Sequence, residues 1–359
     1  MKILLILISN LIFLTNIYTE EIICSASVKN DSVSFTLTTS TSVSEVKVVF
    51  KGMASFLGSD TINLDLVKSG SWSKTIRNIP VGFYYYLFLI DGAPVYDRSS
   101  FAFFAWGTWV NAFEISDPKN TFSVRKTGPF GNMNINYYKS GKLDEFRKCY
   151  VYTPSEYDNN PEKKYPVVYL LHDFGEDESA WLYQGLVNNI IDNGINDGII
   201  QPMLVVLENI NAFKSDPGSP SNSNEIDSLF ISDLVPFIDL QYHTLDSAKY
   251  RTIGGCSLGG KIALDIAIAH KNTFRNLGIF SLPVDFDTSL VITDSLKKLN
   301  LFHFWLGAGI GDASYDKVEK FHEQLDNNGV QHEWDPQSGN YNWLVWRKNL
   351  YNMLQKITY

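Results

Sequence analysis

From about residue 146 onward the sequence predicts an α/β fold, a mostly parallel sheet with helices on both faces, preceded by a small all-β sandwich over residues 22–122. Three observations predict it. Short apolar runs alternate with helix-length segments in the C-terminal part. Period-two runs split by turn clusters fill the N-terminal part. Between a strand-like 250–253 and a helix-like 261–267 stands Gly255-Cys256-Ser257-Leu258-Gly259, where glycines flank a sharp turn that exposes a serine hydroxyl.

The elements follow in chain order. Met1-Lys2 precedes the apolar runs 3–8 and 11–14, which Ser9-Asn10 interrupts before Glu20-Glu21. A cationic start and an apolar stretch too short to span a bilayer read as a cleaved secretory signal over 1–19, so the protein is expected to be secreted or extracellular. Alternating runs at 32–37, 43–50, 71–76 and 83–90, separated by Pro80-Val81-Gly82 and Asp91-Gly92-Ala93-Pro94, are the strands and turns of a sandwich. The stretch from Gly70-Ser71-Trp72 through Pro80-Val81-Gly82 to Asp91-Gly92 resembles the immunoglobulin-like module of starch-branching enzymes and related carbohydrate-binding modules. That resemblance implies a glycan as one partner. The rings of Phe101, Phe103, Phe104, Trp106 and Trp109 could stack on sugar, but aromatic side chains dominate cores, so they are expected to pack the sandwich or its interface. Residues 123–145, rich in Asn, Lys and Gly, read as a linker.

In the domain spanning 146–359, strands are predicted at 149–152, 167–171, 203–207, 250–253, 277–280 and 302–306, with helices around 181–193, 226–240, 261–270, 314–328 and 343–355. The strands are continuously apolar, which means burial on both faces. Residues 214–224, with Asp216-Pro217-Gly218-Ser219-Pro220, read as a flexible loop or lid.

Composition bounds the function. With 45% hydrophobic residues, the 359-residue chain can bury two cores. Its formal charge of -9, without Lys/Arg-rich runs, argues against nucleic acid as a partner. No further segment is long enough to span a membrane, and neither a cofactor nor a metal is expected. Cys24, Cys149 and Cys256 are odd in number and far apart, so they give no disulfide framework, and Cys256 reads as a small buried residue behind the turn.

Several ordered motifs carry a second resemblance: Val151-Tyr152-Thr153-Pro154, Tyr169-Leu170-Leu171-His172, Asp177 with Trp181, Gln184-Gly185, Gln201-Pro202-Met203, Asp233-Leu234-Val235-Pro236, and the Gly-x-Ser-x-Gly turn. Together they resemble the esterase D / enterochelin-esterase-like family of α/β-hydrolases, which includes secreted feruloyl and acetyl-xylan esterases. The resemblance implies the α/β-hydrolase fold, Ser257 as nucleophile, and Asp312 as the acid in the turn Gly307-Ala308-Gly309-Ile310-Gly311-Asp312. An N-cap role for Asp312 at the helix that follows is the alternative. It further implies an oxyanion hole from the backbone around Leu258, Asp173 and Phe174, and a small acyl ester or an esterified polysaccharide as substrate.

Two positions depart from that family's pattern. Relatives end in a Gly-Gly-His-x-Trp turn whose histidine is the base, whereas the same frame here reads Gly339-Asn340-Tyr341-Asn342-Trp343. A phenol with a pKa near 10 is phenolate in only about one molecule in a thousand at pH 7, and removing the base of a serine triad costs on the order of 10⁶ in turnover. None of the six histidines is expected to substitute. The loop written His-Gly-x-Gly in relatives reads His172-Asp173-Phe174-Gly175, which brings a carboxylate near the hole. The sequence therefore leads to a secreted serine carboxylesterase impaired at its base, or to a pseudoesterase that binds carbohydrate or protein, with acyl transfer as a minor alternative.

Overall fold

In the computed structural model the described residues are 22–51, 60–211, 223–283, 285–286, 296, 298–357 and 359. The signal expected at 1–19 and the loop expected at 214–224, except its last two residues, lie outside them.

The N-terminal sandwich forms as two antiparallel sheets. Ile22–Lys29 (β1), Ser32–Thr39 (β2), Val46–Lys51 (β3), Thr61–Asn63 (β4), Asp65–Lys68 (β5), Ser71–Ile76 (β6), Gly82–Ile90 (β7), Ala93–Val95 (β8), Ala102–Ala105 (β9) and Thr108–Ile115 (β10) are its strands. One sheet runs β1-β2-β6-β5, the other β4-β3-β7-β10-β9, with β8 on β7. In β2 the period-two pattern buries Val33, Phe35 and Leu37 completely. Phe35 is the hub of the core: its ring meets Phe50, Tyr86, Phe88 and Phe113 edge-on at 5.2–6.0 Å between centroids, the geometry that aromatic quadrupoles favour.

Strand β7 is apolar on both faces for a reason. Tyr86, Phe88 and Ile90 fill the sandwich, while Tyr85 joins Ala105 and Val110 in a second core shared with the α/β domain. Of the five aromatic residues expected to be packed, Phe103 takes part in that interface, but Phe101, Trp106 and Trp109 are about half exposed. Trp106 sits at φ +56 in the β9–β10 turn, where its ring cannot reach either core.

The α/β domain is built on an eight-stranded sheet, in order β11-β12-β14-β13-β15-β16-β17-β18. These strands are Asn132–Ser140 (β11), Glu145–Thr153 (β12), Val167–Leu171 (β13), Leu204–Glu208 (β14), Arg251–Cys256 (β15), Asn276–Phe280 (β16), His303–Gly309 (β17) and Glu333–Gln337 (β18). From β14 to β18 all neighbours are parallel; β12 pairs antiparallel with both β14 and β11. The linker expected at 123–145 is therefore corrected: β11 and the turn into β12 belong to the sheet. The polar residues that suggested a linker line the solvent side of an edge strand in which only Tyr138 and Ser140 are buried.

Two expected helices are broken. The segment at 181–193 divides into Ala180–Tyr183 and Val187–Asn196, with Leu186 at φ +50 between them. The segment at 226–240 contains a π-helical turn, Phe230–Leu234, between Ser223–Leu229 and Val235–Gln241. Pro236 lacks the N–H that a regular turn needs, and the wider turn absorbs that loss. No helix among the described residues is long and apolar enough to cross a membrane.

Topology then selects the site. After β13 the chain goes to β14 on one side and to β15 on the other, so the carboxyl ends of β13 and β15 flank the point where strand order reverses. The loops after β13, β15, β17 and β18 carry Asp173, Ser257, Asp312 and Tyr341 respectively, all at that end of the sheet.

Candidate active site

Ser257 leaves β15 at φ +49, ψ -114 and opens the helix Leu258–Ala269. For a residue with a side chain this backbone is strained, and it persists because the surroundings force it. A Cβ on Gly255 would lie 2.6 Å from the Leu171 carbonyl oxygen, and one on Gly259 2.5 Å from that of His172. Only glycine fits at either position. The Ser257 N–H donates to Phe280 O at 3.0 Å, which ties the turn to β16.

The two backbone N–H groups that the esterase resemblance assigns to an oxyanion hole already have a partner within the protein. The N–H of Leu258 and the N–H of Phe174 converge, at 3.4 and 2.6 Å, on one atom, Oδ1 of Asp173. Its other oxygen, Oδ2, accepts the hydroxyl of Tyr341, and the Ser257 hydroxyl also hydrogen-bonds to this carboxylate. Asp173 thus occupies both N–H donors directly rather than standing beside them, and these are the donors expected for an oxyanion. Its own N–H is not a hole donor: it points to Glu176 Oε2 at 3.2 Å.

Beneath this group lies Glu176, fully enclosed. Its Oε1 accepts the Tyr85 hydroxyl and the Trp343 indole N–H, both at 3.1 Å. Burial, then the neighbouring Asp173 charge, pushes its carboxyl well above the ordinary range. Burial also raises Asp173, against the opposing hydrogen bonds from Tyr341, Phe174, Ser257 and Leu258. The four hydrogen bonds to Asp173 oppose its rise, while the Asp173 charge adds to the rise of Glu176.

Tyr341 is even less of a base than an ordinary phenol. Burial first, then the Asp173 charge, raises its hydroxyl well above 10. It acts as a donor, with its ring held edge-on by Trp346 at 4.8 Å between centroids.

Asp312, the residue expected as the acid, is buried in the turn after β17. Its Oδ1 accepts the Ser314 N–H at 2.8 Å and the Ser314 hydroxyl at 2.9 Å, steadying the start of Tyr315–Asn327. The buried Oδ2 has no hydrogen-bond partner. An imidazole N–H would donate to such an atom in a serine triad. The loops remain in triad register all the same, since Gly311 N–H donates to Gly339 O at 2.8 Å and Ile310 N–H to Gln337 O at 2.8 Å.

No histidine takes the vacant role. His172 is buried, with Nδ1 on the Asp173 carbonyl at 2.7 Å and Nε2 accepting the Ile210 N–H at 3.0 Å; burial lowers its pKa. His243 stacks on Tyr157, His270 faces Asp227, and His322 and His332 face each other. His303 opens β17 at the far end of the sheet. Cys256 is buried and its thiol is pushed up by burial, so it offers no second nucleophile.

The sandwich reaches the site as well. Gly107 N–H donates to Gly175 O at 2.8 Å, and Gly175, at φ +73, leaves no room for a Cβ against the Trp106 backbone at 2.9 Å. Phe174, Trp106 and Trp109 are each about half exposed along this contact. Phe101 and Tyr183 meet at 4.8 Å between ring centroids. The roles of Glu176 and Tyr85 gave no motif signal in the sequence.

Residues 140–302 match the family model described as "Putative esterase". A curated endo-1,4-β-xylanase/feruloyl esterase of Xylanibacter ruminicola is 27% identical over 299 residues, 81% of this chain and 40% of its own length. Endo-1,4-β-xylanase Y of Acetivibrio thermocellus is 31% identical over 121 residues, 31% of this chain and 10% of its own length. The chain therefore spans less than half the length of these relatives. Among solved structures, the enterobactin esterase of Shigella flexneri superposes with a TM-score of 0.69 at 16% identity, over 93% of this chain and 95% of that one. A ferulic acid esterase of Anaeromyces mucronatus does so with a TM-score of 0.58 at 20% identity, over 66% and 94%. At these identities the superpositions establish the α/β-hydrolase-like fold, and the esterase resemblance holds across the α/β domain.

Proposed function

We propose that this chain is an exported pseudoesterase: a feruloyl/acetyl-ester hydrolase scaffold that keeps the pocket and no longer turns over esters. One observation carries the reading, the Asp173 carboxylate seated on the Leu258 and Phe174 N–H groups. A carboxylate there competes with any oxyanion for both donors and repels its charge. A missing general base is part of the same reading: Tyr341, at the base position, gives its hydroxyl hydrogen to Asp173, and burial raises its pKa further. Retained binding is supported by the half-exposed Phe101, Trp106, Trp109 and Phe174 where the sandwich meets the oxyanion loop, a surface suited to stacking on sugar or aryl rings. The naming of a relative as a xylanase/feruloyl esterase makes an esterified plant polysaccharide the ligand class we favour.

A second reading, a slow esterase with an unusual base, is favoured by the intact strain at Ser257 and its hydrogen bond to Asp173. A fluorophosphonate probe and nitrophenyl-acetate hydrolysis separate the two. We expect no labelling, and equal rates for wild type and Ser257→Ala. Strong labelling at Ser257 would establish the second reading instead.

A further inference from the structure

Away from the Ser257 pocket, His322 and Asp326 lie one turn apart on the helix Tyr315–Asn327, and His332 stands just before β18. One ligand atom from each lies within 4.8 Å of the other two. The hydrogen bonds around His332 fix its tautomer. Its side chain is only 1% exposed, and its Nδ1 sits 2.9 Å from the Val330 carbonyl oxygen. Only an N–H can face a carbonyl at that distance, so in the neutral ring Nε2 carries the bare lone pair. That lone pair is aimed at Nδ1 of His322, 2.7 Å away.

A neutral cluster cannot satisfy all three groups. If His322 donates its Nδ1–H to His332, its own Nε2 becomes a bare lone pair facing the Asp326 carboxylate at 3.6 Å. The other Asp326 oxygen lies 3.9 Å from the His332 Nδ1–H. The His322 lone pair and the Asp326 carboxylate then face each other with no positive centre between them. A backbone carbonyl holding the remote N–H of an imidazole, so that its other nitrogen points at a shared centre, is also how proteins orient metal-binding histidines.

We propose that His322, Asp326 and His332 form a divalent transition-metal site of the zinc class. Two imidazoles and one carboxylate suit Zn²⁺ and disfavour Ca²⁺ or Mg²⁺, which take oxygen ligands. Nitrogens bound to one tetrahedral zinc at about 2.0–2.1 Å stand about 3.3 Å apart, so His322 must withdraw by about 0.6 Å. It has the freedom to do so: its side chain is part exposed and lies flat on the Trp334 ring, 12° from parallel at 5.1 Å. The Asp326 carboxylate is 62% exposed, which leaves the remaining position open to water. The site lies at the start of β18, the end remote from Tyr341, so the ion clips the helix to the strand and takes no part in ester chemistry. No metal was expected from the sequence, because the three residues spread over eleven positions match no zinc motif of conventional spacing.

The test uses the full chain, stripped with a chelator and titrated with Zn²⁺ against a chromophoric competitor, with thermal midpoints read with and without the ion. We expect one equivalent to bind and the midpoint to rise on binding. Asp326→Asn, at an exposed position that does not endanger the fold, should weaken binding by about tenfold or more, the loss that removing even a group hydrogen-bonded to a ligand brings. His322→Gln should abolish the rise in midpoint. An absence of saturable binding at millimolar Zn²⁺, or binding that both variants leave unchanged, overturns the site.

Discussion

If the proposed pseudoesterase reading holds, the block at the hole and the missing base are two faults in one catalyst, and repairing them separately should achieve little. Asp173 has an unstrained backbone and is absent from the residues at positive φ, so Asp173→Ala removes the carboxylate and leaves the loop path unchanged. It frees the Phe174 and Leu258 N–H groups, each worth about 10²–10³ in turnover as a hole donor, but leaves Ser257 with no proton acceptor. Tyr341→His supplies the acceptor and gives the orphaned Asp312 Oδ2 its N–H partner, but the imidazole then faces a carboxylate and the hole stays filled. We therefore expect each single variant to raise nitrophenyl-acetate turnover by about tenfold at most, and the double variant by about 10³ or more. That difference is a coupling of about 1.4 kcal/mol or more. Fluorophosphonate labelling at Ser257 should appear in the double variant and vanish on Ser257→Ala. If Tyr341→His alone matches the double variant, Asp173 does not block the hole. If Asp173→Ala alone reaches 10³, a base already exists and the reasoning fails.

Two further outcomes follow from the surroundings of the site. Glu176 is raised well above 4.5 by burial and by Asp173, and Glu208 is raised to about 7 by burial. With folded-state values above unfolded ones, these two groups contribute stability that is fully present below about pH 4.5 and is lost as pH rises through their folded-state values. Glu176→Gln, which mimics the protonated form, should flatten the slope between pH 5 and 8 in urea melts; an unaltered slope would mean that Glu176 is ionised in the fold. Gly175→Ala forces a side chain into φ +73 against the Trp106 backbone and should cost about 1–3 kcal/mol. Protease nicking of the β9–β10 hairpin should rise with it, and a wild-type melt for this variant would show that the contact is dispensable.

What could be read from the sequence was whatever depends on backbone geometry. The turn at Ser257 was legible because Gly255 and Gly259 are sterically compulsory, whereas Asp312 was named only through the esterase resemblance, which places an acid in the Gly-rich turn after β17. The edge strand β11 was hidden by its polar outer face, a normal property of edges. The helix 226–240 concealed a π-turn, although Pro236 was in view. Side-chain direction was not legible: Asp173 could have faced solvent, and its choice of the hole depends on Tyr341, 168 positions away. Glu176 and Tyr85 escaped notice because their meeting requires the sandwich to dock on the α/β domain, which no local pattern announces.

The two departures from the esterase pattern are one structural change. Aspartate at 173 finds the Phe174 and Leu258 N–H groups through one oxygen, and tyrosine at 341 meets the Ser257 hydroxyl as well as the other oxygen. Together they satisfy each other: the Tyr341 hydroxyl meets Asp173 Oδ2, and Asp173 Oδ1 meets the two N–H groups that a substrate's oxygen would have used. Among the described residues of this cluster, two buried atoms lack a partner, Asp312 Oδ2 and Oε1 of Gln184, the latter a residue bonded to Tyr85. The Asp173–Tyr341 pairing itself is satisfied, so the closed arrangement needs no bound ester to hold it.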